Sequence, residues 1–199
     1  MRLVVNRKPL SWILQSTRCV LIACAVSMLG YCGFVLVDGW MFQNRERHRL
    51  EQLLHEPFPI SLAKSPLAAA DGLIGRIEIP RFGLSVIVIE GTSDTTLRHA
   101  VGHIPGTALP GQPGNVGISG HRDTFFRPLR NIRRNDVITL VTLLGEYRYR
   151  VVSTKIVSPN DVEVLDPSGN EILTLVTCYP FYFIGSAPNR FIVRAERVT

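Results

Sequence analysis

Three features of the sequence predict an all-β fold, a small β-barrel with helical insertions, set behind a single N-terminal transmembrane helix. From about residue 73 onward the apolar residues come in short runs separated by turn residues, the pattern of a sandwich or a closed barrel. Residues 19–37 (CVLIACAVSMLGYCGFVLV) carry no charge. Between the two lies EPFPISLAKSPLAAADG at 56–72, whose three prolines read as a linker.

The uncharged run is bounded by Arg18 and Asp38. Its nineteen residues, at ~1.5 Å each, span about 28 Å, close to the hydrocarbon thickness of a bilayer. Trp12 on one side and Trp40 and Phe42 on the other suit the two interfaces. A cleaved signal peptide would have a shorter apolar region followed by small residues, whereas this run ends in Val37-Asp38-Gly39-Trp40. Leu21-Ile22-Ala23-Cys24 has the residue types of a lipoprotein signal, but only five uncharged residues separate Arg18 from Cys24. The N-terminal flank carries Arg2, Arg7, Lys8 and Arg18 without an acid, and the C-terminal flank mixes Arg45, Arg47 and Arg49 with Asp38, Glu46 and Glu51. That bias favours a cytoplasmic N-terminus. The predicted layout is a cytoplasmic tail over 1–18, a transmembrane helix over 19–37, a helical stalk and linker over 38–72, and an extracytoplasmic folded domain over 73–199. In the stalk, Leu50, Leu53 and Leu54 fall on one helix face among charges.

Within the folded domain, strands are predicted at Leu73–Ile79, Leu84–Glu90, Asn115–Ser119, Val137–Leu143, Tyr147–Val157, Ile172–Cys178 and Phe191–Val198. The fourth and fifth form a hairpin around Leu144-Gly145-Glu146. Thr95–Val101 and Phe125–Ile132 read as short helices. The formal net charge of +6 is concentrated at the N-terminus: four of the 22 bases and none of the 16 acids precede residue 38, which leaves +2 on the remainder. That is no basic footprint for nucleic acid.

Of the four cysteines, Cys19, Cys24 and Cys32 lie in the uncharged run, so Cys178 is alone in the folded part. Outside the cytoplasm a lone thiol has no intrachain partner, and it is either buried and inert or kept for its reactivity. Taking Ile172–Cys178 as a strand puts Ile172, Thr174, Val176 and Cys178 on one face, with Cys178 at the C-terminal end. Arg190 starts the next strand. If the two pair antiparallel, an eleven-residue loop over 179–189 brings Arg190 beside Cys178, where a guanidinium can stabilise charge developing on a carbonyl oxygen. The plain structural readings are a small buried hydrophobe for Cys178 and a rim arginine for Arg190.

A catalytic cysteine needs a base or imidazolium partner. Of the five histidines, His48 and His55 fall in the stalk, and His99 and His103 suit structural loop positions. His121 follows a short apolar strand and Gly120, which admits close approach of another group. Position therefore ranks His121 first. The Cys and His residues lack the paired spacing of a zinc site.

Together these residues resemble the sortase family of membrane-anchored cysteine transpeptidases. Gly-His-Arg-Asp-Thr-Phe-Phe-Arg-Pro-Leu at 120–129 is similar to the family's histidine segment, and Thr174-Leu175-Val176-Thr177-Cys178 to its Thr-Leu-x-Thr-Cys motif. Tyr179–Val193 is similar to the loop and strand that carry its arginine. The resemblance covers roughly residues 73–198. It implies the closed eight-stranded sortase barrel and a site in which Cys178 is the nucleophile, His121 the acid/base and Arg190 the positioning or oxyanion-stabilising group. Thr177 and Ser119 are secondary candidates for orienting that site. The implied substrate is a protein bearing a C-terminal sorting signal of the Leu-Pro-x-Thr-Gly type, transferred through a thioacyl-enzyme to an amine, either a cell-wall peptide or a protein lysine. The histidine and cysteine segments most resemble class D and the related sortases of Gram-negative bacteria. Pilin-polymerising members carry an Asp-Pro-aromatic lid, and Glu56-Pro57-Phe58 departs from it in its first residue. No cluster of acids suggests a calcium site, so no metal or cofactor is expected.

Two other readings compete. A peptidoglycan L,D-transpeptidase would resemble Ser-His-Gly-Cys-[Val/Ile]-Arg, but here Thr177 precedes Cys178 and the histidine is distant. An extracytoplasmic binding or scaffolding β-domain would hold Cys178 as an unreactive core residue and tolerate Cys178→Ser.

Overall fold

The structure, a computed structural model, describes residues 8–55, 72–183 and 185–198. The linker residues 56–71, with Glu56-Pro57-Phe58, lie outside the described residues. The chain divides into two units, Met1–Met41 and Phe42–Thr199. A long helix, α1 (Lys8–His55), carries the uncharged run, whose side chains are exposed throughout. It is long and apolar enough to cross a membrane.

In the second unit eight strands close into a barrel: β1 (Leu73–Ile79), β2 (Leu84–Glu90), β3 (Val101–His103), β4 (Asn115–Ser119), β5 (Val137–Thr142), β6 (Gly145–Val157), β7 (Ile172–Tyr179) and β8 (Asn189–Arg197). Around the barrel the order is β1-β2-β3-β4-β7-β8-β6-β5. The β2–β3 and β4–β7 pairs are parallel and the others antiparallel. This is the barrel the sequence predicts, with the predicted strands in place. Alternation along each strand supplies the interior. Ile77, Ile79, Leu140, Leu173, Leu175 and Val193 are all buried at 1 % exposure or less. Removing such side chains from water stabilises the fold by about 1.5–3 kcal/mol each.

Two local expectations are corrected. The helix predicted over Thr95–Val101 ends earlier, as α2 (Asp94–His99), and Val101–His103 forms β3 instead. Ser93 starts α2, its hydroxyl accepting from the Thr96 amide at 3.1 Å. The three residues of β3 become a strand because they bridge β2 and β4, a pairing that has no local signature. The helix predicted over Phe125–Ile132 is a 3-10 turn at Arg127–Asn131, with Pro128 in its first turn.

A further finding concerns the leucine face of the predicted stalk. Leu50 is fully buried against Leu73, Ile87 and Ala100, whereas Leu54 is exposed. The reason lies in β2. It pairs with β3 only at Val88–Glu90, which leaves its first half an open strand edge. Residues 42–55 of α1 cover that edge. The Gln43 side chain accepts from the Ile87 amide at 3.1 Å and donates to the His99 carbonyl at 2.5 Å. Arg47 donates to Ser85 at 3.4 Å through its hydroxyl.

Candidate active site

Strand direction brings the chemistry to one rim of the barrel. β4 and β7 run parallel with Ser119 opposite Val176, so both strands end on the same side. Cys178 stands two residues beyond Val176, and His121 two residues beyond Ser119. β8 returns antiparallel to β7 with Arg190 directly opposite Cys178. Pairing extends one position past the sequence estimate, to Tyr179 and Asn189, so the loop between the strands is 180–188. The Tyr179–Pro180 peptide is cis.

On β7 the row Leu173, Leu175 and Thr177 points into the barrel and is buried, and the row Thr174, Val176 and Cys178 points outward by alternation. The Cys178 thiol is half-buried and free. It lines a cavity of about 300 Å³ together with His121, Arg122, Asp123, Gly185, Ser186, Ala187 and Arg190. The three residues expected from sequence thus meet in one cavity, from three separate segments. The Arg190 guanidinium donates to the carbonyls of Ala187 at 3.3 Å and Asn189 at 3.1 Å. These bonds hold it over the cavity through its own loop.

The two secondary candidates stand behind the cavity. The buried Thr177 hydroxyl donates to the Gly120 carbonyl at 2.7 Å, and the Gly120 amide donates to the Val176 carbonyl at 3.1 Å. Together they lock the residue before His121 to the residues before Cys178. Gly120 is required there, since a Cβ would lie 2.7 Å from the Phe126 ring. Ser119 is half-buried at the end of β4.

The other histidines lie elsewhere. His48 and His55 are exposed on α1. His99 ends α2, 5.3 Å from the Phe42 ring. His103, expected in a loop, is 2 % exposed on β3. Its Nδ1 meets the Glu90 carboxylate at 2.6 Å, and its Nε2 meets the Ala108 carbonyl at 2.9 Å. It pins the segment that leads into β4.

Two residues that sequence reasoning passed over are buried hydrogen-bonding centres, Asn115 at the start of β4 and Arg122 at the rim. Asn115 accepts from the Thr174 hydroxyl at 2.7 Å and donates to the carbonyls of Val164 at 3.0 Å and Asp166 at 3.3 Å. It ties the segment between β6 and β7 to the strands beneath it. Arg122 is 7 % exposed and donates to the carbonyls of Pro180 at 3.1 Å, Phe183 at 2.7 Å and Gly185 at 2.9 Å. Within the sequence neither signals its burial: an asparagine that opens a short strand and an arginine between His121 and Asp123 both read as surface. Among the described residues no group of His, Cys, Asp or Glu is arranged to hold a metal ion.

Comparison with known proteins adds three findings. A family model for the sortase domain matches residues 77–198. Sortase D of Bacillus subtilis strain 168 is 32% identical over 190 residues, covering 90% of this chain and 96% of that protein. Among solved structures, the Sortase D5 transpeptidase of Clostridium perfringens superposes with a TM-score of 0.69 at 26% identity, over 80% of this chain and 99% of that one. Sortase C of Clostridium perfringens SM101 superposes with a TM-score of 0.58 at 33% identity, over 64% of this chain and 70% of that one. With the closed barrel, the matched family model and relatives that span nearly the whole chain, this protein belongs to the sortase family of cysteine transpeptidases and resembles its class D.

Proposed function

We propose that this chain cleaves a C-terminal sorting signal of the Leu-Pro-x-Thr-Gly type and transfers the shortened protein to an amine at the cell surface. The observation that carries the reading is the single cavity lined by Cys178, His121 and Arg190. In this mechanism Cys178 gives its thiol proton to His121 and its sulfur attacks the scissile carbonyl carbon. Negative charge gathers on the carbonyl oxygen, where the Arg190 guanidinium stabilises it. The carbon–nitrogen bond breaks and the leaving amine takes a proton from His121. The thioester keeps the acyl group activated. An incoming amine then attacks the same carbon and gives its proton to His121, and the carbon–sulfur bond breaks as the sulfur takes that proton from His121 to regenerate the Cys178 thiol. One peptide bond is exchanged for another amide, so no cofactor or energy source enters.

The same reading assigns residues 1–18 to the cytoplasm, 19–37 to the membrane, 38–72 to the juxtamembrane segment and 73–199 to the extracytoplasmic catalytic domain. The partners are sorting-signal proteins and an amine acceptor, a cell-wall peptide or a protein lysine.

The test is incubation of the full chain in detergent with peptides varied around Leu-Pro-x-Thr-Gly, with and without amines. Mass spectrometry should find an acyl adduct on Cys178 that turns over to an amide when amine is present. Cys178→Ala should abolish both adduct and transfer while the domain stays folded. Transfer retained by that variant would overturn the assignment.

A further inference from the structure

We propose that Arg122 is a positioning residue, whose guanidinium clamps the β7–β8 loop against the histidine segment and so sets the shape of the wall facing Cys178. The proposal rests on the transpeptidase reading of the site for its effect on rate, but not for its structural part.

The β7–β8 loop supplies Gly185, Ser186 and Ala187 to the cavity wall, yet it has little internal structure. Among the described residues its one internal backbone hydrogen bond runs from the Phe183 amide to the Pro180 carbonyl at 3.3 Å. Its carbonyls instead turn toward two arginines. Arg122 takes those of Pro180, Phe183 and Gly185 from the side of His121. Arg190 takes those of Ala187 and Asn189 from the side of β8. The start of the loop is anchored separately, by packing of Tyr179, Phe181 and Phe191, with Phe181 and Phe191 centroids 5.3 Å apart. Further along the loop, Arg122 holds the carbonyls of Phe183 and Gly185.

Chemistry explains why arginine stands there. Arg122 is almost fully buried, and its nearest carboxylate, Asp123, is 3.6 Å away and 71% exposed. A buried cation so weakly paired is tolerated only where its N–H groups are satisfied. Three carbonyl dipoles converging on one planar fork do this. A lysine carries the charge but presents its donors from one atom, and it does not span the three carbonyls. Because Arg122 directly follows His121, the same fork links the acid/base segment to the loop on the far side of Cys178. A shift of the loop by an ångström at a reacting centre costs up to about 100-fold in rate.

The test uses the full chain in detergent and the variants Arg122→Ala, Arg122→Gln and Arg122→Lys. Hydrogen exchange should quicken at the amides of residues 181–187 in Arg122→Ala, with β4, β7 and β8 unchanged. With a Leu-Pro-x-Thr-Gly-type fluorogenic peptide as the probe, kcat per folded molecule should fall by roughly 30–100-fold in Arg122→Ala. KM should change by less than about fivefold, and Arg122→Lys should recover only part of the loss. A residue that merely adds stability would leave kcat per folded molecule at its wild-type value. Loop exchange that matches wild type overturns the clamp. So does kcat within twofold of wild type in a folded variant. If Arg122→Ala does not fold, Arg122→Gln and Arg122→Lys carry both measurements. If the wild-type chain acylates no peptide in the series, the transpeptidase reading fails, and the hydrogen-exchange comparison still decides whether Arg122 holds the loop.

Discussion

The residues that touch the cavity depend on others that do not. Thr177 shows this most directly. It precedes Cys178 in sequence, but its side chain points the opposite way and its hydroxyl meets the carbonyl of Gly120. A strand displays alternate residues on opposite faces, so the position beside the thiol can reach through the barrel wall to the histidine segment. Thr177→Val keeps the shape and removes the donor, leaving a buried carbonyl unpaired. The expected cost is about 1–3 kcal/mol of stability, read as a lowered unfolding midpoint of the full chain. Thr177→Ser keeps the hydroxyl and should lose less than half as much. A larger loss in Thr177→Ser than in Thr177→Val would place the role of Thr177 in its methyl group. The pairing was legible only in part. That Thr177 belonged to the site came from the resemblance of the segment to a motif, and the Gly120 contact required the parallel β4–β7 register.

At the scale of elements, strand pairing decided what local pattern left open. Strands bounded by turn residues, such as Leu73–Ile79 before Pro80 and Leu84–Glu90 before Gly91, were legible to the residue. The three-residue β3 was not, because its stability comes from the neighbours on either side and not from its own sequence. The short β3 has a consequence for α1. It leaves half of β2 unpaired, and the amphipathic end of the helix covers the open edge with Leu50 at its centre. Sequence alone identified the apolar face of residues 40–55 but not what it faces. Leu50→Ala should therefore destabilise the barrel by about 2–5 kcal/mol. Leu54→Ala, on an exposed position, should change stability by less than about 0.5 kcal/mol. Thermal unfolding of the two variants, followed by the barrel's near-ultraviolet circular dichroism, checks the contrast. Equal midpoints would mean that the helix end does not support the barrel.

Across the whole molecule, one buried group reports on the integrity of the barrel away from the site. Tyr149 is fully buried on β6, and its hydroxyl has no hydrogen-bond partner. Burial pushes its phenol up from 10.0 to about 12, with the Glu171 carboxylate adding to the effect and Arg197 opposing it. Below pH 10 the phenol is protonated in both folded and unfolded chains, and its contribution to stability is constant. Between pH 10 and about 12 only the unfolded chain loses the proton, so stability falls across that window, by on the order of 2 kcal/mol. Tyr149→Phe should remove this part of the alkaline loss, and near neutral pH it should match wild type or exceed it by up to about 1 kcal/mol. Unfolding of both chains over the alkaline range tests this, and parallel pH dependences would refute it. The sequence by itself determined the apolar helix, the all-β character and most strand positions, and it named Cys178, His121 and Arg190 as candidates, because each rests on local periodicity, charge or a contiguous motif. Only the tertiary structure decided that those residues share a cavity, that Leu50 is core, and that Asn115 and Arg122 are buried hydrogen-bonding centres. Those outcomes depend on which strands lie side by side and which carbonyls point inward, and residues far apart in the chain set both.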